Sequence, residues 1–125
     1  MVINGNGEVL LVRHSYTNGW YFSGGGVEPS ETVESALTRE LGEETGLTIA
    51  GVPKLHGIFF NRSVSENDHV LVYICQADAE RPDRPLSIEI AELRFNDLHH
   101  LPAEIDYGTE LRSQEITNGQ VQTTL

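Results

Sequence analysis

Carboxylates stand where apolar side chains are expected in the segment ETVESALTRELGEETGL, residues 31–47. Wound as a helix at about 100° per residue, the segment gathers one apolar stripe. Its members are Val33, Ala36, Leu37 and Leu41. Glu40 and Glu44 fall on that same stripe, and Glu43 lies at its edge. The helical pattern therefore predicts two or three carboxylates crowded on the partly buried side of the last turns.

Local physics opposes this placement of charge. Glu40 and Glu44 are four residues apart, and a like-charge pair at that spacing costs roughly 0.2–0.5 kcal/mol on an exposed helix. Both lie toward the helix C-terminus, where the backbone carbonyls favour cations. Gly42, between them, costs about 1 kcal/mol relative to alanine in a helix interior. Such violations are expected at functional sites, and a bound divalent cation is the simplest compensation.

The same residues belong to a longer spaced pattern. It reads G-x5-E-x7-R-E-U-x-E-E-x-G-U, where U is a bulky aliphatic residue. Its fixed positions are Gly25, Glu31, Arg39, Glu40, Leu41, Glu43, Glu44, Gly46 and Leu47. This is the complete Nudix box, so the chain resembles the Nudix hydrolases. Flanking segments at 10–14, 19–31 and 89–102 also look like bacterial members, with departures at Ser23, where many relatives carry proline, and Ser30, where many carry glycine.

The resemblance implies a reaction and a metal. Members of the family hydrolyse a nucleoside diphosphate linked to another group, by attack of water on phosphorus, with Mg²⁺ or Mn²⁺ held by the helix glutamates. Carried over by position, Glu40, Glu43 and Glu44 become the metal ligands. Arg39 becomes the charge partner that orients one of them, and Glu31 supports it. Hard carboxylate oxygens suit Mg²⁺, which shares its coordination with substrate phosphates.

Substrate contacts are predicted around the glycine run. Gly24–Gly26 are expected to adopt conformations closed to other residues and to bring the backbone close to metal and phosphates, with Gly25 and Gly26 as contacts. Arg13 ends a strand and is predicted to meet a phosphate, with an ordinary surface salt bridge as the alternative. Nearby aromatic side chains are predicted to stack on a base or to pack in the core. They are Trp20, the preferred contact, with Tyr16 and Tyr21.

The general base is left open by the sequence. Glu40 within the box is one choice, and Glu92 or Glu89 in the later segment is another, also as a fourth metal ligand. The alternative for Glu89 and Glu92 is that they are solvated strand residues. The predicted catalytic set is therefore Arg39, Glu40, Glu43 and Glu92.

The elements that position these groups follow from hydrophobic patterning and turn residues. Strands are predicted at residues 9–13, 20–23, 54–60, 69–77 and 89–95, with a stub at 1–3 that forms a hairpin with the first. One helix covers the box, with Ser30 as N-cap and Gly46 as its stop, and a second covers 109–117, ending near Gly119. This order predicts an α+β fold, a Nudix-like α/β/α sandwich with a mixed β-sheet.

Composition limits the remaining possibilities. The 125 residues are expected to form one domain, 1–125, with a loose tail over 117–125. The net charge of −11 opposes binding of long nucleic acid but not of a small phosphorylated nucleotide, because bound cations invert the local field. No apolar run approaches a membrane span, and no leader pattern begins the chain. The single cysteine, Cys75, favours the cytoplasm.

These observations favour a metal-dependent pyrophosphohydrolase acting on a small nucleotide derivative. The alternatives are a catalytically silent Nudix-like domain that binds nucleotides as a sensor, and an acidic helix with a structural cation. The short stub Met1–Ile3 leaves a sheet edge thinly covered. We therefore expect either self-association near residues 1–13, as a homodimer, or a true start upstream. The identity of the nucleotide derivative is not specified.

Overall fold

The computed structural model describes residues 1–62, 64–77 and 88–119, which contain six strands and two helices. The elements are β1 Val2–Ile3, β2 Glu8–His14, β3 Trp20–Tyr21, α1 Val33–Thr45, β4 Ile49–Phe60, β5 His69–Ala77, β6 Ile90–Asp97 and α2 Tyr107–Asn118. The predicted hairpin of stub and first strand is confirmed, since β1 pairs antiparallel with β2. No helix in the described residues is long and apolar enough to cross a membrane.

One mixed sheet joins all six strands. The order β3-β2-β1-β5-β4 is antiparallel except where β1 runs parallel to β5, and β6 pairs antiparallel with β2 along nearly its whole length. Because β6 occupies one edge of β2, the other edge is shared by β1 at its start and β3 at its end. The stub therefore lies between β2 and β5 and not at a sheet edge. This placement is contrary to the argument used for self-association, and the homodimer stays a prediction without that support.

Hydrophobic cores cover both faces of the sheet, because successive side chains of a strand point to opposite faces. Leu10 packs in a cluster with Leu41 of α1. Its neighbours Val9 and Leu11 pack in a second cluster, which includes Ile116 of α2. The helices thus lie on opposite faces, so the predicted α+β fold with an α/β/α arrangement and a mixed sheet is confirmed.

Helix α1 begins two residues later than predicted. Thr32, with φ −74° and ψ 159°, is the N-cap, and its hydroxyl accepts a hydrogen bond from the Ser35 N–H at 3.0 Å. The prediction of Ser30 as the cap is wrong, because Ser30 instead takes the left-handed conformation, with φ 65°. Gly46, with φ 73°, ends the helix as predicted.

Strand β4 is longer than its sequence pattern indicated. It begins at Ile49 and continues past Gly51, whose φ is 73°, with a shift of register against β5 between Ala50 and Lys54. The predicted strand begins only at residue 54, after the Gly-Val-Pro stretch, but on an edge strand a bulge accommodates that stretch. Helix α2 begins two residues earlier than predicted, with Asp106 as its N-cap, and Gly119, with φ 71°, ends it as predicted. Most of the predicted tail, residues 120–125, lies outside the described residues.

Candidate active site

Arg39 lies at the centre of the acidic cluster on α1. Its Nε and Nη2 donate to the two carboxylate oxygens of Glu31 at 2.7 and 2.9 Å, a bidentate pair. Its Nη1 donates to Glu40 at 3.0 Å and to Glu43 at 3.3 Å. Nη2 also donates to the carbonyl of Gly26 at 3.0 Å, which ties the glycine run to the helix. One guanidinium therefore fixes three carboxylates and the preceding loop.

The pKa values in this cluster follow from its hydrogen bonds. The Arg39 guanidinium, with a contribution from the Glu28 N–H, lowers the pKa of Glu31 to about 2. In return, Glu31 above all, and Glu40 to a lesser degree, raises the pKa of Arg39. Glu31 therefore stays ionised, and Arg39 stays charged, across the whole physiological range.

Glu44 is held separately, by the glycine run. Ser23 Oγ donates to its Oε1 at 2.5 Å, and the Gly24 N–H donates to the same oxygen at 3.0 Å. His14 Nε2 lies 3.9 Å from the other oxygen. The side chain is only 12% exposed, and this burial raises its pKa, against the opposing effect of the two hydrogen bonds. Ser23, where many relatives carry proline, thus supplies a hydroxyl that orients a box glutamate.

A close backbone approach explains one glycine of the run. A Cβ added to Gly25 would overlap the carboxylate of Glu40, whereas one added to Gly24 or Gly26 would meet nothing within 4 Å. None of the three has a positive φ, so the expectation of glycine-only conformations in this run is wrong. The requirement is instead for space at Gly25, because the Glu40 carboxylate fills the position of its missing side chain.

The carboxylates fit a hard divalent cation in their chemistry. Glu40, Glu43 and Glu44 come from adjacent turns of α1 and offer the oxygen ligands that Mg²⁺ and Mn²⁺ accept. Among residues 1–62, 64–77 and 88–119, however, no three His, Cys, Asp or Glu side chains are gathered as a metal-binding group. Arg39 holds Glu40 and Glu43, while the loop holds Glu44. Only Oε1 of Glu40 and Oε2 of Glu43 accept from Nη1, so gathering all three carboxylates round one ion would require the side chains to turn, with their other oxygens toward the ion.

A cavity of about 990 Å³ opens beside Glu40. Four elements wall it: the glycine run, one face of α1, the first half of β5 and the first turns of α2. Its lining residues include Phe22, Gly25, Gly26, Val33, Leu37, Glu40, Val70, Val72, Tyr107 and Arg112. In size this cavity matches those that bind small molecules, and its walls are largely apolar with a few polar groups.

Two predicted site residues lie on the other face of the sheet. Arg13 and Glu92 are cross-strand partners on β2 and β6, with Arg13 Nη2 3.5 Å from Glu92 Oε1. Arg13 follows Leu11 on the face that carries α2, whereas His14, beside Glu44, faces α1. The structure therefore does not bring Arg13 and Glu92 together with the box glutamates. Neither residue lines the cavity.

The three aromatic residues predicted to contact substrate lie in different parts of the structure. Trp20 is 5% exposed and belongs to the core on the α2 face, where the Arg94 guanidinium lies 4.5 Å from its ring centroid. Tyr21 lines the cavity, but Tyr16 is exposed outside it, beside the ring of His14. The backbone carbonyl of Glu89 accepts a hydrogen bond from the Ser15 N–H at 2.8 Å, away from the cavity.

Sequence reasoning missed two polar groups that the structure places at the site. In the sequence, Ser23 stands out only as a departure from the family pattern. Its position directly before the glycine run is the one signal that it lies at the site. Arg112 on α2 lines the cavity and gave no signal, because a helical arginine is most often exposed.

The structure thus combines a mixed sheet that has a helix on each face with a glycine run and an acidic helix beside a cavity. A model of the NUDIX domain matches residues 1–114, and the chain belongs to the Nudix hydrolase family. It is 31% identical over 104 residues to an ADP-ribose pyrophosphatase of Methanocaldococcus jannaschii, covering 81% of this chain and 61% of that protein.

Two further comparisons cover a shorter segment of the chain or its fold alone. An RNA pyrophosphohydrolase of Pseudomonas putida is 47% identical over 47 residues, which are 38% of this chain and 30% of that protein. The chain thus spans less than two thirds of these relatives. A MutT NUDIX hydrolase from Burkholderia pseudomallei shares the fold with a TM-score of 0.72 at 21% identity, over 92% of this chain and 95% of its own.

Proposed function

We propose that this chain is a divalent-metal-dependent pyrophosphohydrolase that cleaves a nucleoside diphosphate linked to another moiety. The observation that carries the proposal is the placement of the Glu40 carboxylate. Arg39 fixes it at 3.0 Å, it fills the space left by Gly25, and it lines a cavity of about 990 Å³. A carboxylate in that position stands where the reacting phosphate would enter.

The chain's own residues orient the reactants. Arg39 holds Glu40 and is itself held by the bidentate pair with Glu31, so the direction of the Glu40 side chain is set by two linked ion pairs. Because Gly25 lacks a side chain, substrate phosphates can approach the carboxylates and the backbone closely. Fixed geometry of this kind lowers the entropic part of the barrier.

The metal ligands are proposed to be Glu40, Glu43 and Glu44, binding Mg²⁺ or Mn²⁺. Bound there, such an ion would neutralise phosphate charge and lower the pKa of a coordinated water. Ser23 and the Gly24 N–H keep Glu44 directed toward the glycine run, at 2.5 and 3.0 Å. Glu43 is 60% exposed and therefore free to turn toward a ligand at small cost.

Glu40 is the better-placed general base. It lines the cavity, whereas Glu92 lies on the opposite face of the sheet, paired with Arg13 and Arg94. In the proposed step the water oxygen forms a bond to phosphorus, and the bond from phosphorus to the bridging oxygen breaks. The proton of the water goes to the base, and the leaving phosphate carries the negative charge away.

The substrate class is a small phosphorylated nucleotide. The net charge of −11 disfavours long nucleic acid, and the relatives act, by their names, on ADP-ribose and on RNA.

We place the protein in the cytoplasm because its single cysteine, Cys75, is buried and free.

The test is hydrolysis of a panel of nucleoside triphosphates, nucleotide sugars, ADP-ribose and dinucleoside polyphosphates, each with Mg²⁺, with Mn²⁺ and with EDTA. We expect turnover of at least one class with metal and none in EDTA. Glu40→Gln should lower kcat by about 100- to 10,000-fold, the range for loss of a general base. Glu34→Gln is the matched control, since Glu34 is an exposed residue of the same helix at an unspecified position of the box.

Full turnover in EDTA would exclude the metal-dependent mechanism. Binding of nucleotides without any turnover would favour the alternative, a silent Nudix-like sensor domain. An unchanged kcat in Glu40→Gln, with Glu92→Gln inactive, would move the general base to the other face of the sheet.

A further inference from the structure

The sheet ends in two edge strands that differ in charge. Within the described residues, β6 pairs with β2 alone and β4 pairs with β5 alone. Strand β6 carries Glu92, Arg94 and Asp97, and all three are partly or fully exposed. Charged side chains on an edge strand oppose its pairing with another chain. The second half of β4, residues 55–60, contains no Asp, Glu, Lys or Arg, so that edge lacks this protection.

The direction of the backbone groups on β5 follows from its contact with Met1. The Tyr73 C=O accepts a hydrogen bond from the Met1 amino group, and the Cys75 N–H donates to the Met1 C=O, each at 2.8 Å. Tyr73 and Cys75 thus point their backbone groups toward β1. Because consecutive residues of a strand point these groups to opposite sides, the even-numbered residues of β5 point theirs toward β4.

The open side of β4 presents backbone groups at Ile58 and Phe60. Gly57 and Phe59 stand opposite two even-numbered residues of β5 and therefore form the hydrogen-bonded pairs of the ladder. Ile58 and Phe60 alternate with them, so their N–H and C=O groups point away from β5. On that side the described residues contain no further strand. An edge with such groups pairs readily with another extended segment.

Apolar side chains lie exposed beside the same edge. Leu55 and Ile58 on β4 are 44% and 51% exposed, and Leu71 on β5, the cross-strand partner of Ile58, is 39% exposed. Leu55 stands opposite Tyr73, which packs in the cluster with Leu41 of α1. Because cross-strand partners share a face, the three exposed side chains form one apolar patch on the α1 face of the sheet, beyond the part that the helix covers.

The charge of the chain favours a second copy as the partner of this edge. At a net charge of −11, two copies repel each other wherever their acidic surfaces meet. None of the 19 Asp and Glu residues lies on β4 or β5. A two-fold contact uses the same surface on both copies, so pairing β4 with β4 brings none of these strands' carboxylates together. A basic partner would be attracted to the acidic surfaces and would gain nothing from this uncharged strand.

We propose that β4 is a homodimer interface, in which the ends of two β4 strands pair antiparallel about a two-fold axis near Phe59. Ile58 of one copy then stands opposite Phe60 of its partner, and their outward N–H and C=O groups form hydrogen-bonded pairs. The contact joins two six-stranded sheets into one continuous sheet and covers both apolar patches. It lies away from residues 1–13, where the sequence predicted self-association, and it does not depend on the proposed function.

Two irregularities confine the pairing to the end of β4. The strand shifts register against β5 between Ala50 and Lys54, and again between Leu55 and Gly57. Pro53 has no N–H to donate, and Lys54 places a charge ahead of the apolar segment. The contact is therefore short, and because small interfaces are weak we expect a dissociation constant on the order of 10–100 µM.

The first experiment is sedimentation velocity of the full chain over a range from about 2 to 500 µM, in Mg²⁺ and in EDTA. We expect a reversible change from monomer to dimer with the same dissociation constant in both buffers, because none of the proposed metal ligands lies on β4. A monomer throughout the range would overturn the proposal.

Ile58→Lys places a charge at the proposed contact, and Val52→Lys is its matched control. Val52 is 89% exposed on the same strand, ahead of Pro53, and both variants change the net charge of the chain equally. We expect Ile58→Lys to weaken the dimer at least about tenfold and Val52→Lys to leave it unchanged. An unchanged dissociation constant in a folded Ile58→Lys variant, with its fold checked by thermal melts, would contradict the proposal.

Amide hydrogen exchange of the parent chain tests the interface without any substitution. The N–H groups of Ile58 and Phe60 should exchange more slowly as the concentration rises through the dissociation constant. Those of Gly57 and Phe59, which pair with β5, should be protected at all concentrations. If a dimer forms while Ile58 and Phe60 exchange equally fast in monomer and dimer, the copies meet through another surface and the proposal is wrong.

Discussion

Two arginines, one on each face of the sheet, carry their charge in different ways. Arg39 on α1 is 23% exposed and is shared among several carboxylates, the nearest at 2.7 Å. Arg112 on α2 is 1% exposed and, among residues 1–62, 64–77 and 88–119, has one carboxylate, that of Glu115, within ion-pair distance. The first arginine can lose or exchange a partner while water and the other carboxylates compensate. The second cannot, because its nitrogens are shielded from solvent and no other carboxylate of the described residues is paired with it.

The difference separates a site that rearranges from one that does not. Metal binding at α1 would require the side chains of Glu40 and Glu43 to turn, and the partly exposed cluster allows this at small cost. The buried pair on α2 is held at fixed geometry, since removing one member leaves an uncompensated charge. The following variants test this contrast, from the largest expected effect to the smallest.

The contrast is tested most directly by neutralising one carboxylate partner of each arginine. Glu115→Gln leaves Arg112 without a buried counterion and should lower the free energy of unfolding by about 3–5 kcal/mol. Glu31→Gln removes a partner of Arg39, but other carboxylates remain, so the decrease should be much smaller. Urea unfolding of both variants measures this, and equal losses would contradict the contrast.

Gly25→Ala tests the crowding at Glu40. The added Cβ would overlap the Glu40 carboxylate and displace it, and a displacement of about 1 Å can cost on the order of 100-fold in activity. Because the φ of Gly25 is not positive, stability should change little. Gly24→Ala, where a Cβ meets nothing within 4 Å, should keep near-normal kcat/KM. Similar losses of kcat/KM in the two variants would show that activity depends on the flexibility of the glycine run and not on space for Glu40.

Acid should weaken the α1 cluster in a defined window. The pKa of Glu31 is lowered to about 2, so its contribution to stability is fully present above the unfolded value near 4.3. This contribution is lost as the pH falls from there toward 2. Thermal melts between pH 7 and 2 should therefore show a smaller acid-induced decrease in Glu31→Gln than in the parent. If the melting temperatures of parent and variant fall in parallel with pH, protonation of Glu31 does not cause the acid-induced loss of stability.

Ser30→Gly should give the smallest effect, and a stabilising one. Ser30 holds a φ of 65°, a conformation that costs a residue with a Cβ roughly 1–2 kcal/mol and costs glycine nothing. The greater freedom of glycine in the unfolded chain offsets part of the gain, so we expect a net increase below about 1 kcal/mol. Ser30→Ala keeps the Cβ and should show no such increase in thermal melts.

The sequence predicted the elements whose signals are local. The helical periodicity of the box, the stop at Gly46 and the close of α2 at Gly119 all depend on neighbouring residues, and all are confirmed. The N-cap was misplaced because Ser30 and Thr32 both carry hydroxyls. The choice between them depends on backbone dihedrals that sequence does not display.

The relations between distant segments were less predictable. Period-two patterning shows that Arg13 and His14 face opposite ways, but not which of them meets α1. The close approach of Gly25 to Glu40 depends on how the loop folds back on the helix, and the burial of Arg112 depends on Phe59 of a different element. The roles of Arg13, Trp20 and Glu92 stay predictions.

The pairing of β2 with β6 has a consequence for the order of folding. The β4–β5 hairpin joins neighbouring segments, whereas Arg13 and Glu92 pair across 79 residues of chain. Closing so long a loop costs more entropy, and pairings between distant segments form slowly. We therefore expect the hairpin to form early and β2 to reach β6 late. His14 of β2 also lies beside Glu44, so the acidic helix acquires this neighbour only when β2 has taken its place in the sheet.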